Sequence, residues 1–131
     1  MERDIKNWTL RRDVSFTELT LNITRLGDDC HLLLYGGERP HLGCSVMALA
    51  RPSLTGDGSL SATSSVLNVT GHKDEALCRL LAEGVAADMN CTAVCTGGVH
   101  IDNITEEQIQ VLRDAAISLA KEACILLKEN L

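Results

Sequence analysis

Asn68-Val69-Thr70-Gly71-His72-Lys73-Asp74 is the seam of this sequence, the point where its hydrophobic period changes. Before it, residues 60–69 alternate weakly through Ser, Thr and Val, as a strand does. After it, Leu77, Leu80, Leu81 and Val85 share one face of a helix predicted over residues 74–89, ending at Asp88-Met89-Asn90. Three more β-like runs precede the seam. In residues 14–26, Leu19, Leu21 and Ile23 alternate with Thr20, Asn22 and Thr24. Val14 and Phe16 have the opposite parity, which a bulge near Glu18 would reconcile. Gly27-Asp28-Asp29 is turn chemistry, and residues 30–35 form a second strand that stops at Gly36-Gly37. Residues 42–50 are apolar at almost every position, as expected of a strand covered on both faces. The short connections predict antiparallel neighbours.

Beyond the seam, residues 91–96 return to a short strand, and the last element carries the clearest boundary signal. Thr105 is an N-cap, Gln108 completes a capping box, and Ile104 with Ile109 supplies a hydrophobic staple. Ile109, Leu112, Ala116, Leu119, Ala123, Leu126 and Leu127 then recur at helical spacing. The order ββββαβα predicts an α+β fold, a largely antiparallel sheet with two packed helices, as one domain over residues 1–131.

Composition narrows the class. The 131 residues are 45% hydrophobic and 23% charged, ordinary for a globular chain. A net charge of −6 argues against nucleic acid or a membrane surface as partner. Trp8, Phe16 and Tyr35 are the only aromatic residues, too few for base-stacking platforms. The charged start Met1-Glu2-Arg3-Asp4 has no apolar run behind it, so the expected location is the cytoplasm, with the six cysteines reduced. Cys91 and Cys95 share a strand face near His100, but the spacings of a structural zinc site are missing, so buried thiols and no metal are expected.

Three polar, glycine-punctuated segments hold the candidate site. Arg51-Pro52-Ser53-Leu54-Thr55-Gly56-Asp57-Gly58 offers a guanidinium fork, hydroxyls and open backbone, although a wide surface turn fits it equally. Gly71-His72-Lys73-Asp74 opens a helix, whose N–H groups and dipole favour an anion, and Lys73 opposes that dipole unless an anion is near. Its bland alternative is a helix cap at Asp74. Gly97-Gly98-Val99-His100-Ile101-Asp102-Asn103 brings a titratable imidazole beside a carboxylate, or else simply turns into the next helix. His31 and His41 read as structural.

With these segments quoted, the stretch from Arg51 through Glu75, followed by Gly98-Val99-His100-Ile101-Asp102-Asn103, resembles the LpdD-type prenylated-flavin chaperone family. These small accessory proteins are associated with gallate and related decarboxylases of the UbiD kind. The resemblance implies a fold similar to small proteasome-assembly-chaperone domains and a homodimer. It further implies non-catalytic binding of reduced prenylated FMN, or of FMN itself, and delivery to or protection for a UbiD-like decarboxylase, with the flavin prenyltransferase as a second partner. The residues expected to hold the flavin are Arg51, Ser53, Thr55, Gly56, Asp57, Gly71, His72, Lys73, Gly98, His100, Asp102 and Asn103. Two alternatives stand beside it: a pure assembly factor that never touches the cofactor, and a small enzyme using His100 with Asp102 or His72. The flavin expectation carries a spatial condition, that all three segments close around one guest.

Overall fold

The structure, a computed structural model, describes residues 5–69 and 73–131. Its elements in chain order are β1 (Ile5–Asp13), β2 (Glu18–Leu26), β3 (Asp29–Gly37), β4 (Arg39–Pro52), β5 (Leu60–Asn68), α1 (Lys73–Met89), β6 (Thr92–His100) and α2 (Glu106–Glu129). The expected four strands, helix, strand and helix are all present, and one further strand, β1, precedes them. Its alternation is masked by Lys6, Arg11, Arg12 and Asp13. The parity break at Val14 and Phe16 is therefore a turn between two strands, closed by Val14 N–H donating to the Thr17 carbonyl, rather than a bulge.

One six-stranded sheet runs in the order β1-β2-β3-β6-β4-β5. All neighbours are antiparallel except β3 and β6. The short connection of β3 to β4 had suggested adjacency, yet β6 inserts between them. The chain from Gly37 to Arg39 strides over the end of β6, where both residues pair with His100 and the Glu38 N–H donates to the His100 carbonyl.

Both helices lie on one face. There Leu19, Leu21, Ile23, Leu32, Leu34 and Val46 meet Leu77, Leu81 and Val85 of α1 and Leu112, Leu119 and Leu127 of α2, all buried. The periodicity of both helices finds its purpose in this layer. Lys128 Nζ reaches Asp88 Oδ2 at 2.8 Å and ties the two helices, while Arg12 of β1 pairs with Glu122 of α2. The opposite face of the sheet is open. Leu42, Met47 and Leu49 are exposed on it, so the apolar run of β4 is covered on one face and not on two. Open-face neighbours are Thr20, Asn22 and Thr24 on β2, His31, Leu33 and Tyr35 on β3, Val94 and Thr96 on β6, and Leu67 on β5. The face is thus polar toward β1 and mixed beyond it, where Leu33, Val94, Met47, Leu49 and Leu67 stand among Thr96, Ser45, Thr63 and Ser65.

Candidate functional site

The ladder between β4 and β6 slips once. Pro40 pairs with Val99 and Cys44 with Gly97, so residues 41–43 bulge and leave the Val99 N–H without a β4 partner. Asp74, the second residue of α1, fills that gap. Its Oδ1 accepts from Val99 N–H at 2.9 Å, and Oδ2 lies 3.1 Å from His41 Nε2. The carboxylate is buried, 5% exposed, and makes room for itself through two glycines. A Cβ on Gly43 would sit 2.2 Å from Asp74 Oδ2, and one on Gly98 2.9 Å from the same atom. Asp74 is therefore neither the helix cap nor a solvated charge; it joins the first turn of α1 to the sheet.

Around this carboxylate gather the end of β6 and the β3–β4 crossing. His41 and His100 meet edge to face with centroids 6.2 Å apart. His100 Nε2 lies 2.8 Å from Asp102 Oδ1 and 2.8 Å from Arg39 Nη2, while Arg39 pairs with the same Asp102 oxygen at 3.6 Å. Arginine only donates, so Nε2 either accepts from Arg39 or carries a proton and donates to Asp102. The His100 hydrogen bond, then Glu38 and the nearby Arg39 charge, hold the Asp102 carboxyl below the usual carboxylate range. Either way the Arg39 guanidinium, a fixed cation and donor, stands beside the His100 imidazole, an arrangement suited to an anion.

This cluster opens onto the uncovered sheet face. A depression of about 370 Å³ is lined by Leu33, Tyr35, Pro40, His41 and Leu42. A second of about 310 Å³, sharing Leu42, is lined also by Ser45, Leu67, Val69 and Thr96. Cationic and hydrogen-bonding groups thus border an apolar shelf, the combination that small-molecule sites use. A larger cavity of about 520 Å³ lies elsewhere, between α1, α2 and the start of β5. Its polar lining is Ser61, Glu83, Asp88 and Lys121, in which carboxylates outnumber the one cation.

Of the residues expected to act together, Lys73, Gly98, His100, Asp102 and Asn103 belong to this end of the sheet. Gly71 and His72 lie outside the described residues. Gly98 and His100 are part of β6 rather than of a loop. Arg51, Ser53, Thr55, Gly56 and Asp57 sit at the opposite end. Arg51 pairs with Ser61, two residues beyond Leu49, which opposes Thr92 at the start of β6. Ten residue steps of about 3.3 Å put Arg51 roughly 30 Å from His100 in the same chain. The three segments therefore do not close around one guest within one copy, because β4 runs the length of the sheet between two of them. Arg51 Nε donates to Thr63 Oγ1 at 2.7 Å. Asp57 accepts from Ser59 and Thr55, which holds its carboxyl down at about 2. Arg39 went unassigned by sequence, and His41 read as structural. Their one signal was Gly43 inside an apolar strand, a mark of close backbone approach.

The thiols are core groups. All six cysteines are free and buried, and burial pushes Cys30 up to about 12 and Cys91 to about 11. Among the described residues no group of three or more His, Cys, Asp or Glu side chains is arranged to hold a metal ion. Nor, among them, is any helix long and apolar enough to cross a membrane.

The prenylated flavin chaperone LpdD-like domain matches residues 14–128 as a family model. Among solved structures the chain is similar to one described as "Crystal Structure of a Novel Chaperone Complex for Yeast 20S Proteasome Assembly". That likeness has a TM-score of 0.58, 17% identity and 98% coverage of both chains, and it shows the fold alone. No curated protein matches the chain.

Proposed function

The chain belongs to the prenylated flavin chaperone LpdD-like family, and from that membership we propose that it binds reduced prenylated FMN without transforming it. It then delivers the cofactor to, or protects it for, a UbiD-like aromatic-acid decarboxylase in the cytoplasm. The observation that carries this reading is the meeting of a donor cluster with an apolar shelf at one end of the sheet. Arg39, His100 and Lys73 offer positive charge or donors for the phosphate, with Gly98, Asp102 and Asn103 beside them for the ribityl hydroxyls. The tricyclic ring with its prenyl adduct would lie over Leu33, Tyr35, Leu42 and Leu67, exchanging exposed apolar surface for contact. When bound, the flavin supplies its own redox and cycloaddition chemistry; the chain positions it and keeps water from one face. Such a shelf is open on its far side, which suits a carrier that must release its guest.

Anaerobic desalting of purified protein mixed with reduced prenylated FMN is the test. Co-elution of flavin with the wild type, and its loss in Arg39→Ala, is the expected result. A wild-type protein that emerges free of flavin yet still captures the decarboxylase would instead establish a pure assembly factor.

A further inference from the structure

Arg51 and its hydroxyl-bearing loop belong to the stretch that marks the family, yet in one copy they lie at the wrong end of the sheet. The edge strand beside them offers a way back. β5 is nine residues long, Leu60-Ser61-Ala62-Thr63-Ser64-Ser65-Val66-Leu67-Asn68, and carries no charged residue and no proline. The other edge, β1, carries Lys6, Arg11, Arg12 and Asp13. Charges and prolines are what usually keep an edge strand from pairing with another chain, and β5 has neither. Ser59 and Val69 turn their backbone groups inward, since Ser53 N–H donates to the Ser59 carbonyl and Val69 N–H to the Gly43 carbonyl. Strand alternation then points the N–H and carbonyl groups of Ala62, Ser64 and Val66 outward.

We propose that two copies of this chain pair β5 to β5, antiparallel about Ser64, and that Arg51 of each copy completes the site of the other. A second copy is the occupant the strand itself specifies. Antiparallel pairing of a strand with itself is self-complementary under a twofold axis, and a charge-free strand meets no like-charge repulsion in a chain of net charge −6. The register follows from the sheet. Thr96, Ser45 and Leu67 form one row across the open face. With Ser64 on the axis, Leu67 faces Ser61 of the second copy, whose own β4 neighbour is Arg51. Two strand spacings place that Arg51 about 10 Å from Leu67. The Arg51 side chain is on the open face, bonded to Thr63. It would close the unwalled side of the Leu67 depression. The flavin shelf would then lie between cations at both ends, Arg39 with His100 from one copy and Arg51 from the other. A reduced flavin nucleotide offers two anionic ends, its phosphate and its ring edge, to meet them.

This inference takes the identity of the guest from the flavin reading, and its test separates the two. Sedimentation without flavin is expected to give a dimer of 14.2 kDa chains. Ser65→Lys sets the two introduced lysines diagonally across the axis, each opposite Thr63 of the second copy and next to the Arg51 bonded to it, so like charges crowd the pairing edge. Ser64→Pro removes an outward N–H. Each is expected to sediment as a monomer with an unchanged circular dichroism spectrum. A monomeric wild type, or folded variants that remain dimeric, would overturn the pairing while leaving flavin binding intact. Arg51→Ala and Lys73→Ala proteins are each expected to retain little reduced prenylated FMN. Co-expressed, they leave one intact site in each mixed dimer, restoring roughly a quarter of wild-type retention. Absence of restoration overturns the shared site. Failure of the wild-type dimer to retain flavin overturns the function proposed above and leaves the pairing as measured.

Discussion

Asp74 is the residue on which the local architecture turns. It substitutes for a missing strand partner at Val99 and receives His41, all within a gap held open by Gly43 and Gly98. Removing it leaves a buried N–H unsatisfied and a cavity behind. Asp74→Ala is therefore expected to lose about 2–4 kcal/mol in urea unfolding. An unchanged midpoint would mean that water replaces the carboxylate freely. In the sequence Asp74 read as an ordinary helix-start residue, because the bulge that creates its partner lies some thirty positions away. His41 read as structural for the same reason: its partner comes from another element.

At the scale of elements, legibility followed locality. The start of α2 was readable because a capping box involves residues three apart, and Thr105 Oγ1 does accept from Gln108 N–H while Gln108 Oε1 accepts from Thr105 N–H. Thr105→Ala is expected to cost about 1 kcal/mol of stability, with Thr105→Ser recovering most of it. Equal melting of all three proteins would show that packing against α1, and not the cap, sets where α2 begins. β1 escaped notice because its charged side chains obscure the alternation that Trp8 and Leu10 share with the core. β6 was read too short because two glycines look like a loop. In the sheet they allow the chain to pass close to Leu34 and Asp74.

The whole molecule stores its thiols in the core. Cys124 is raised to about 12, chiefly by burial, alongside Cys30 and Cys91, and Cys44 and Cys78 move in the same direction. Each folded value lies above the ordinary thiol value of 9.0, so this contribution to stability is complete below about pH 9. It is then lost as pH climbs through 11 and 12. Thermal melting should fall between pH 9 and pH 11, and fall less steeply in Cys30→Ala; parallel slopes would remove the thiols as the cause.

What the chain determined by itself was its list of elements and its α+β class, since period, turn residues and caps are encoded among near neighbours. The family likeness was also legible, from contiguous segments. Strand order was decided only by the tertiary structure. Inserting β6 between β3 and β4 carried His100 to Arg39, His41 and Asp74, and the length of β4 carried Arg51 away from them. Neither distance exists until strands far apart in sequence have chosen their partners.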